Sequence, residues 1–267
     1  VNPAPTRAAR RRPVTRGPAP HRGEGEYLYG VHAVATAVES GQPVHEVHVL
    51  RERSRDDVVR RILALARERG IPAHLDDATF FKRFPYKAHQ GVVALVEPFA
   101  YAQLHDVLRK RRSPSLFVVL DHVSDPHNLG AIVRTAECAG ADAVVIPERR
   151  AAGMTPAARK VAAGAAERLP VVRVVNVRES LLVLKKAGLW IVGADASAPA
   201  RSLYETDLDG DLAVVVGAEG EGLSALVRRE CDLLVRIPLY GTTPSLNASV
   251  AAGIILYEIR RRTGPRP

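Results

Sequence analysis

The sequence predicts an α/β protein, a small mixed module followed by a larger domain built on a parallel sheet. Three observations carry this. Short β-branched runs alternate with helix-periodic stretches from about Tyr27 onward. Six such runs in the second half are apolar throughout, as strands covered on both faces must be. Between the halves, Arg109-Lys110-Arg111-Arg112 followed by Ser113-Pro114-Ser115 reads as a charged, proline-bearing linker.

In chain order, Val31, Val34, Ala35 and Val38 recur at helical spacing until Gly41. Residues 44–50 alternate as a strand. Residues 56–69 form an amphipathic helix closed by Gly70, 72–75 a short extended piece, 77–84 a third helix and 91–96 a strand. Past the linker, strands fall at 116–120, 143–146, 171–175, 189–193, 212–216 and 233–237. Helices fall at 129–139, 156–167, 177–187, 223–230 and 246–260. The domains expected are a disordered basic tail over 1–25, an N-terminal substrate-binding unit over 26–98, a linker over 99–115 and a sheet domain over 116–264.

The chain of 267 residues carries a net charge of +9, which calls for an anionic partner. Residues 1–23 hold six arginines and no acid, so the rest carries only three of those charges. With five prolines as well, the tail buries no core and reads either as an RNA-contacting arm or as a solubilising or targeting extension. No run approaches the ~18 apolar residues of a membrane span, and the start lacks the apolar stretch of a secretory signal. Cys138 and Cys231 are far apart in no metal-like spacing. They read as small buried hydrophobes of a protein from a reducing cytoplasm, with neither disulfide nor metal site.

Ligands of open parallel sheets sit beyond the carboxyl ends of the strands, and three loops belong there. The first runs from Asp121-His122 through Asp125-Pro126-His127-Asn128-Leu129-Gly130 to Arg134. Asn128 is placed to cap the helix, with Arg134 about a turn and a half later. The pair reads as a phosphate or ribose clamp, or as a cap plus a solvated arginine. The second, Gly217-Ala218-Glu219-Gly220-Glu221-Gly222, lets main-chain amides approach a ligand. Its spacing is not the dinucleotide G-x-G-x-x-G, it lacks a P-loop lysine, and its two glutamates favour a neutral or cationic ligand. The third runs from Pro238 through Ser245-Leu246-Asn247 into a small-residue helix, with Ser245 as the expected cap.

Together these loops resemble the signature motifs of the SpoU (TrmH-type) RNA ribose 2'-O-methyltransferases of the SPOUT class. The residues are Asn128-Leu129-Gly130 with Arg134, Val216-Gly217-Ala218-Glu219-Gly220-Glu221-Gly222, and Ile237-Pro238 through Ser245-Leu246-Asn247-Ala248-Ser249. Upstream, Tyr29-Gly30-Val31-His32 and His89-Gln90-Gly91-Val92 resemble the ribosomal-protein-like RNA-binding domain of the RlmB-like subgroup, which methylates a guanosine in large-subunit rRNA. The resemblance implies a trefoil knot in the sheet domain, a homodimer packed through the knot helices, and S-adenosylmethionine held by Gly217, Ile237 and Leu246, with Ala194 a further candidate. It also implies Arg134 as the activating group, with Asn128, Glu219, Asn247 and Ser245 around it. A guanidinium stays protonated below a pH of about 12. Arg134 therefore suits holding a phosphate and stabilising the developing alkoxide better than accepting a proton.

RNA contacts are also expected at Lys82, Arg83 and Lys87, which interleave with Phe80, Phe81, Phe84 and Tyr86, and at Arg109 and Arg111 in the linker. The alternative for the aromatic stretch is a core helix with exposed lysines. Other readings stay open: a tRNA ribose methylase, an adenosine-specific rRNA resistance methylase, a non-catalytic RNA-binding assembly factor, or a Rossmann oxidoreductase. The last is poor because no G-x-G-x-x-G follows the first strand of the sheet domain.

Overall fold

The computed structural model describes residues 25–40, 43–84, 89–196 and 200–264. The tail before Gly25, the helix-ending Gly41, and Tyr86 and Lys87 lie outside the described residues.

The first unit runs β1 (Glu26–Tyr29), α1 (Val31–Ser40), β2 (Val44–Leu50), α2 (Asp57–Glu68), β3 (Ala73–Asp76), α3 (Ala78–Phe81) and β4 (Val92–Val96). Its sheet has the order β1-β4-β2-β3, antiparallel except for the β2–β3 pair. One face buries Val34, Val38, Val59 and Ile62 from α1 and α2. The other buries Phe81, Phe84 and Val93, with Phe80, Tyr27 and Tyr29 packed around them. The helix expected over 77–84 is a single turn, capped by Asp77 Oδ1, which accepts from the Thr79 and Phe80 amides.

The segment expected as a linker carries α4 (Leu104–Lys110), with Val107 buried against the sheet domain. Leu104, Val107 and Leu108 share one helix face, and the basic run at the C-terminal end of that helix disguised the pattern. The tie is completed by Tyr101, whose hydroxyl accepts from the Met154 amide at 2.9 Å.

The sheet domain follows: β5 (Leu116–Asp121), α5 (Pro126–Cys138), β6 (Ala143–Pro147), α6 (Pro156–Ala162), β7 (Val171–Val174), α7 (Val177–Lys186), β8 (Trp190–Ala194), β9 (Arg201–Ser202), β10 (Leu212–Gly217), α8 (Ala225–Glu230), β11 (Leu233–Arg236) and α9 (Ala248–Thr263). The strands are parallel in the order β7-β6-β5-β10-β8-β11-β9. Val118, Val144 and Val214 face one core, Phe117, Val119 and Val215 the other. This two-sided burial is why the strands read as unbroken apolar runs. The helix expected over 156–167 is interrupted at Ala163 and Gly164, both with positive φ. The break lets the first unit dock. A Cβ on Gly164 would lie 2.2 Å from Thr36 Oγ1 of α1, and the buried Arg159 on α6 bonds Glu167 at 3.0 Å.

The strand order positions the site. The chain winds outward from β5 through β6 to β7, then returns to the other side of β5 with β8 and β10. The switch point therefore lies between β5 and β10, where the crevice of such a sheet opens. Asp121 and Gly217, the last residues of those strands, sit opposite each other in register. β8 and β11 continue the row, so the loops after β5, β10, β8 and β11 emerge side by side.

Candidate active site at the carboxyl rim

At the switch point, residues from three loops form one polar knot. Asn128 Nδ2 donates to Glu219 Oε1 at 2.8 Å, Asn247 Nδ2 donates to Asn128 Oδ1 at 3.0 Å, and Asn247 Nδ2 also reaches Glu219 Oε1 at 2.5 Å. Asn128 is buried, whereas Glu219 and Asn247 are exposed.

Local sequence explains these placements and corrects two expected caps. The cap of α5 is Asp125, whose Oδ1 accepts from the His127 amide at 2.9 Å, with Pro126 favoured at the first helical position. Asn128 therefore lies inside the first turn, free to point inward. The cap of α9 is Asn247, not Ser245: its Oδ1 accepts from the Ser249 and Val250 amides while its Nδ2 serves the polar knot. Ser245 is exposed and lines a cleft instead.

Two clefts meet at this knot. One, of about 410 Å³, is lined by Ala194, Gly217, Glu219, Ile237, Ser245 and Leu246, among others. It joins apolar side chains to glycine main chain in a volume typical of small-ligand sites. Gly217 is required by close approach, since a Cβ there would lie 2.1 Å from the Gly222 carbonyl oxygen. The second cleft, of about 630 Å³, is lined by His122, Asp125, Asn128, Arg150, Glu219 and Glu221, among others. Ala218, Glu219 and Glu221 belong to both, so the glycine loop is a shared wall.

Arg134 is not part of this knot. It lies about 240° around α5 from Asn128 and about 9 Å along the axis. It is exposed and makes no hydrogen bond or ion pair among the described residues. The expectation that one helix end presents both groups fails on helical phase: six residues turn the guanidinium to another face.

The expected RNA contacts also separate. Lys82 and Arg83 are exposed, and the Arg83 guanidinium stacks 4.0 Å from the Phe80 ring centroid. Phe81 and Phe84 are core, as the alternative reading of that stretch had it. Arg109 is exposed and pairs with Asp106 at 2.6 Å. Arg111 donates to the carbonyls of Leu108 and Ala187 at 3.1 and 2.6 Å, which makes it a tie between α4 and α7. The cysteines differ from expectation too. Cys138 is exposed, and only Cys231 is partly buried, its thiol pushed up to about 12 by burial and then by Asp232. Among the described residues no group of three or more His, Cys, Asp or Glu is arranged to hold a metal ion, and no helix is long and apolar enough to cross a membrane.

The motif reading passed over Arg150, Asp195 and Arg228. Arg150 lines the second cleft, while Asp195 and Arg228 pair at 3.1 Å beside the first. The pair Arg149-Arg150 just after strand β6, at the same edge of the sheet, was the available signal.

A parallel sheet with paired clefts at its switch point, flanked by a docked mixed α/β unit, defines a two-domain α/β protein with a cleft of small-ligand size beside a second, open one. The model of the SpoU rRNA methylase family matches residues 115–257, and that of the RNA 2'-O ribose methyltransferase substrate-binding domain matches residues 27–102. The 23S rRNA (guanosine-2'-O-)-methyltransferase RlmB of Pseudomonas syringae pv. tomato is 43% identical over 90% of this chain and 98% of its own length. An uncharacterized tRNA/rRNA methyltransferase of Synechocystis is also 43% identical over 90% of this chain, which spans 63% of that relative. The crystal structure of the SpoU methyltransferase AviRb from Streptomyces viridochromogenes in complex with AdoMet superposes with a TM-score of 0.76 and 30% identity, over 92% of each chain. The chain belongs to the SpoU rRNA methylase family.

Proposed function

We propose that this protein transfers a methyl group from S-adenosylmethionine to a ribose 2'-hydroxyl of RNA, the target being a guanosine of large-subunit (23S) rRNA. The observation that carries this reading is the shared wall: a small-ligand cleft and an open cleft meet at Glu219, tied there to Asn128 and Asn247.

The first cleft fits the cofactor chemically. Ile237 and Leu246 offer apolar contact, Gly217 and Ala194 leave main-chain groups accessible, and Glu219 and Glu221 suit a cationic ligand better than an anionic one. S-adenosylmethionine, when bound, supplies a methyl group activated on a sulfonium. Glu219 and the two asparagines hold the loops in a fixed relation, so that ribose and donor meet in line. Ser245 shapes the third loop.

Arg134 holds a phosphate and stabilises the developing alkoxide. Because it points away from its own polar knot, a second copy of the chain supplies it, in a homodimer packed through α5 and α9. Exposed Val250 and Tyr257 on α9 support such packing. The trefoil knot goes with the same reading, since β8 is flanked by two later strands and α9 packs back on α5. Residues 26–98 present the RNA, with Lys82, Arg83, Lys87, Arg109 and the basic tail as counter-charges, 99–115 joins the domains, and 116–264 does the chemistry. This puts the protein in the cytoplasm, where bacterial rRNA is found.

The test is to map ribose methylation on large-subunit rRNA and tRNA from strains with and without the gene, alongside calorimetry with S-adenosylmethionine. One guanosine of 23S rRNA loses its methyl group in the deletion, and Arg134→Ala binds cofactor but restores no methylation. Loss at a tRNA ribose instead would redirect the substrate. An unchanged map with no cofactor binding would end the reading.

A further inference from the structure

The open cleft holds two side chains that the family motifs leave without a task. Asp121, fully buried at the end of β5, accepts from the Ser224 amide at 2.7 Å through one oxygen. Its other oxygen lies 2.6 Å from His122 Nδ1. A carboxylate only accepts, so Nδ1 donates to it, and in the neutral imidazole Nε2 is then the acceptor. His122 is half-exposed and lines the open cleft with Asn128 and Glu219. Arg150 lines the same cleft from the loop after β6. It is the one cation in the lining and makes no hydrogen bond or ion pair among the described residues.

Both residues adopt backbone conformations that side chains disfavour, with φ of +64° at His122 and +56° at Arg150. Among the described residues only Gln90 and Ala163 share this property without being glycine. Strain of this kind gathers where a side chain is held for function.

We propose that this cleft seats the target nucleotide, with His122 Nε2 accepting the proton of the 2'-hydroxyl and Arg150 holding a flanking phosphate. This deepens the methyltransferase reading and rests on it. It also supplies the base that a guanidinium cannot be. As the bond from O2' to the methyl carbon forms, the carbon–sulfur bond of the donor breaks with its electron pair staying on sulfur. The hydroxyl proton passes to Nε2, and the imidazolium then releases it to water. The charged groups facing His122 are Asp121 from β5, Asp125 from the cap of α5, Glu219 and Glu221 from the glycine loop, and Arg150. Of these groups, Arg150 is the one that this chain itself offers to a phosphate in the cleft.

The experiment uses the full chain, unmodified 23S rRNA transcribed in vitro, and the variants His122→Asn and Arg150→Ala. Asparagine tolerates positive φ, so the turn survives. His122→Asn binds S-adenosylmethionine as the parent does but loses on the order of 10²-fold in kcat, together with the acidic limb of the pH profile. Nitrogen-15 spectra of the cofactor-free parent show His122 protonated at Nδ1. Arg150→Ala binds cofactor-free RNA about tenfold more weakly, with the slope of log affinity against log salt smaller by about one. Parental kcat and pH profile in His122→Asn would overturn the assignment of the base, and an unchanged salt slope in Arg150→Ala that of the phosphate. If the parent chain itself methylates no ribose, the underlying reading has failed, not only this one.

Discussion

The two ends of the parallel sheet use the same residue type for opposite ends. At the amino edge, carboxylates close the strands. Asp142 accepts from the Leu116 amide at 2.7 Å, Asp211 from the Ser115 amide at 2.6 Å, and Asp232 from the Ile191 amide at 2.8 Å. Each satisfies a main-chain donor that a strand start leaves over. At the carboxyl edge, Asp121 also holds the Ser224 amide, but its second oxygen and Glu219 reach side chains: an imidazole and two amides. A carboxylate spent on the backbone stabilises the fold. One spent on side chains fixes their orientation for something that has yet to arrive.

This contrast yields graded expectations. The largest effect belongs to Glu219→Ala. Methyl transfer falls on the order of 10²–10³-fold, and the buried Asn128 amide left without its acceptor costs about 1–3 kcal/mol of stability. Single-turnover methylation and thermal unfolding read the two apart, and intact turnover would reduce the polar knot to scaffolding. Next comes Gly217→Ala. Its new methyl runs into the Gly222 carbonyl, so the glycine loop must open. Calorimetry should find cofactor affinity down by about tenfold, with about 1–3 kcal/mol lost to overpacking.

At the other edge, Asp211→Ala should lower stability by about 1–2 kcal/mol in urea titrations, through the Ser115 amide. Cofactor affinity should stay at the parental value; a weakened cofactor site would erase the distinction between the edges. The smallest effect concerns Cys231, which precedes β11 on the amino side. With its thiol raised to about 12, thiolate is scarce at pH 8. Brief iodoacetamide treatment followed by mass spectrometry should find Cys138 labelled and Cys231 intact. Equal labelling would mean that the amino edge opens readily.

Strands were the most legible part of the sequence, because burial on both faces writes itself as β-branched runs. The helix at 104–110 was missed because lysine and arginine close to its three apolar residues imitate a linker. The break at Ala163-Gly164 was invisible because it answers to Thr36, more than a hundred residues away. At the site, the three loops stood out by composition. Asn128 and Ser245 were misassigned as caps because a neighbouring Asp125 and Asn247 are equally good caps, and only the entry angle of the chain decides between them. The aromatic stretch at 80–84 left a stacking surface and a core helix both open, because composition does not say which side of a sheet a ring covers.

What the sequence determined by itself is local: which stretches are strands, which are helices, and which loops carry glycine, amide and carboxylate. Such preferences are set by a residue and its neighbours within a turn or two. The tertiary structure decided which of them meet. Asn128 and Glu219 are 91 positions apart and Asn128 and Asn247 are 119 apart, and they bond because β10 pairs with β5 while β8 and then β11 continue the same row. That order is fixed by how two apolar faces can be covered at once, a property of the assembled sheet that no short stretch of chain contains.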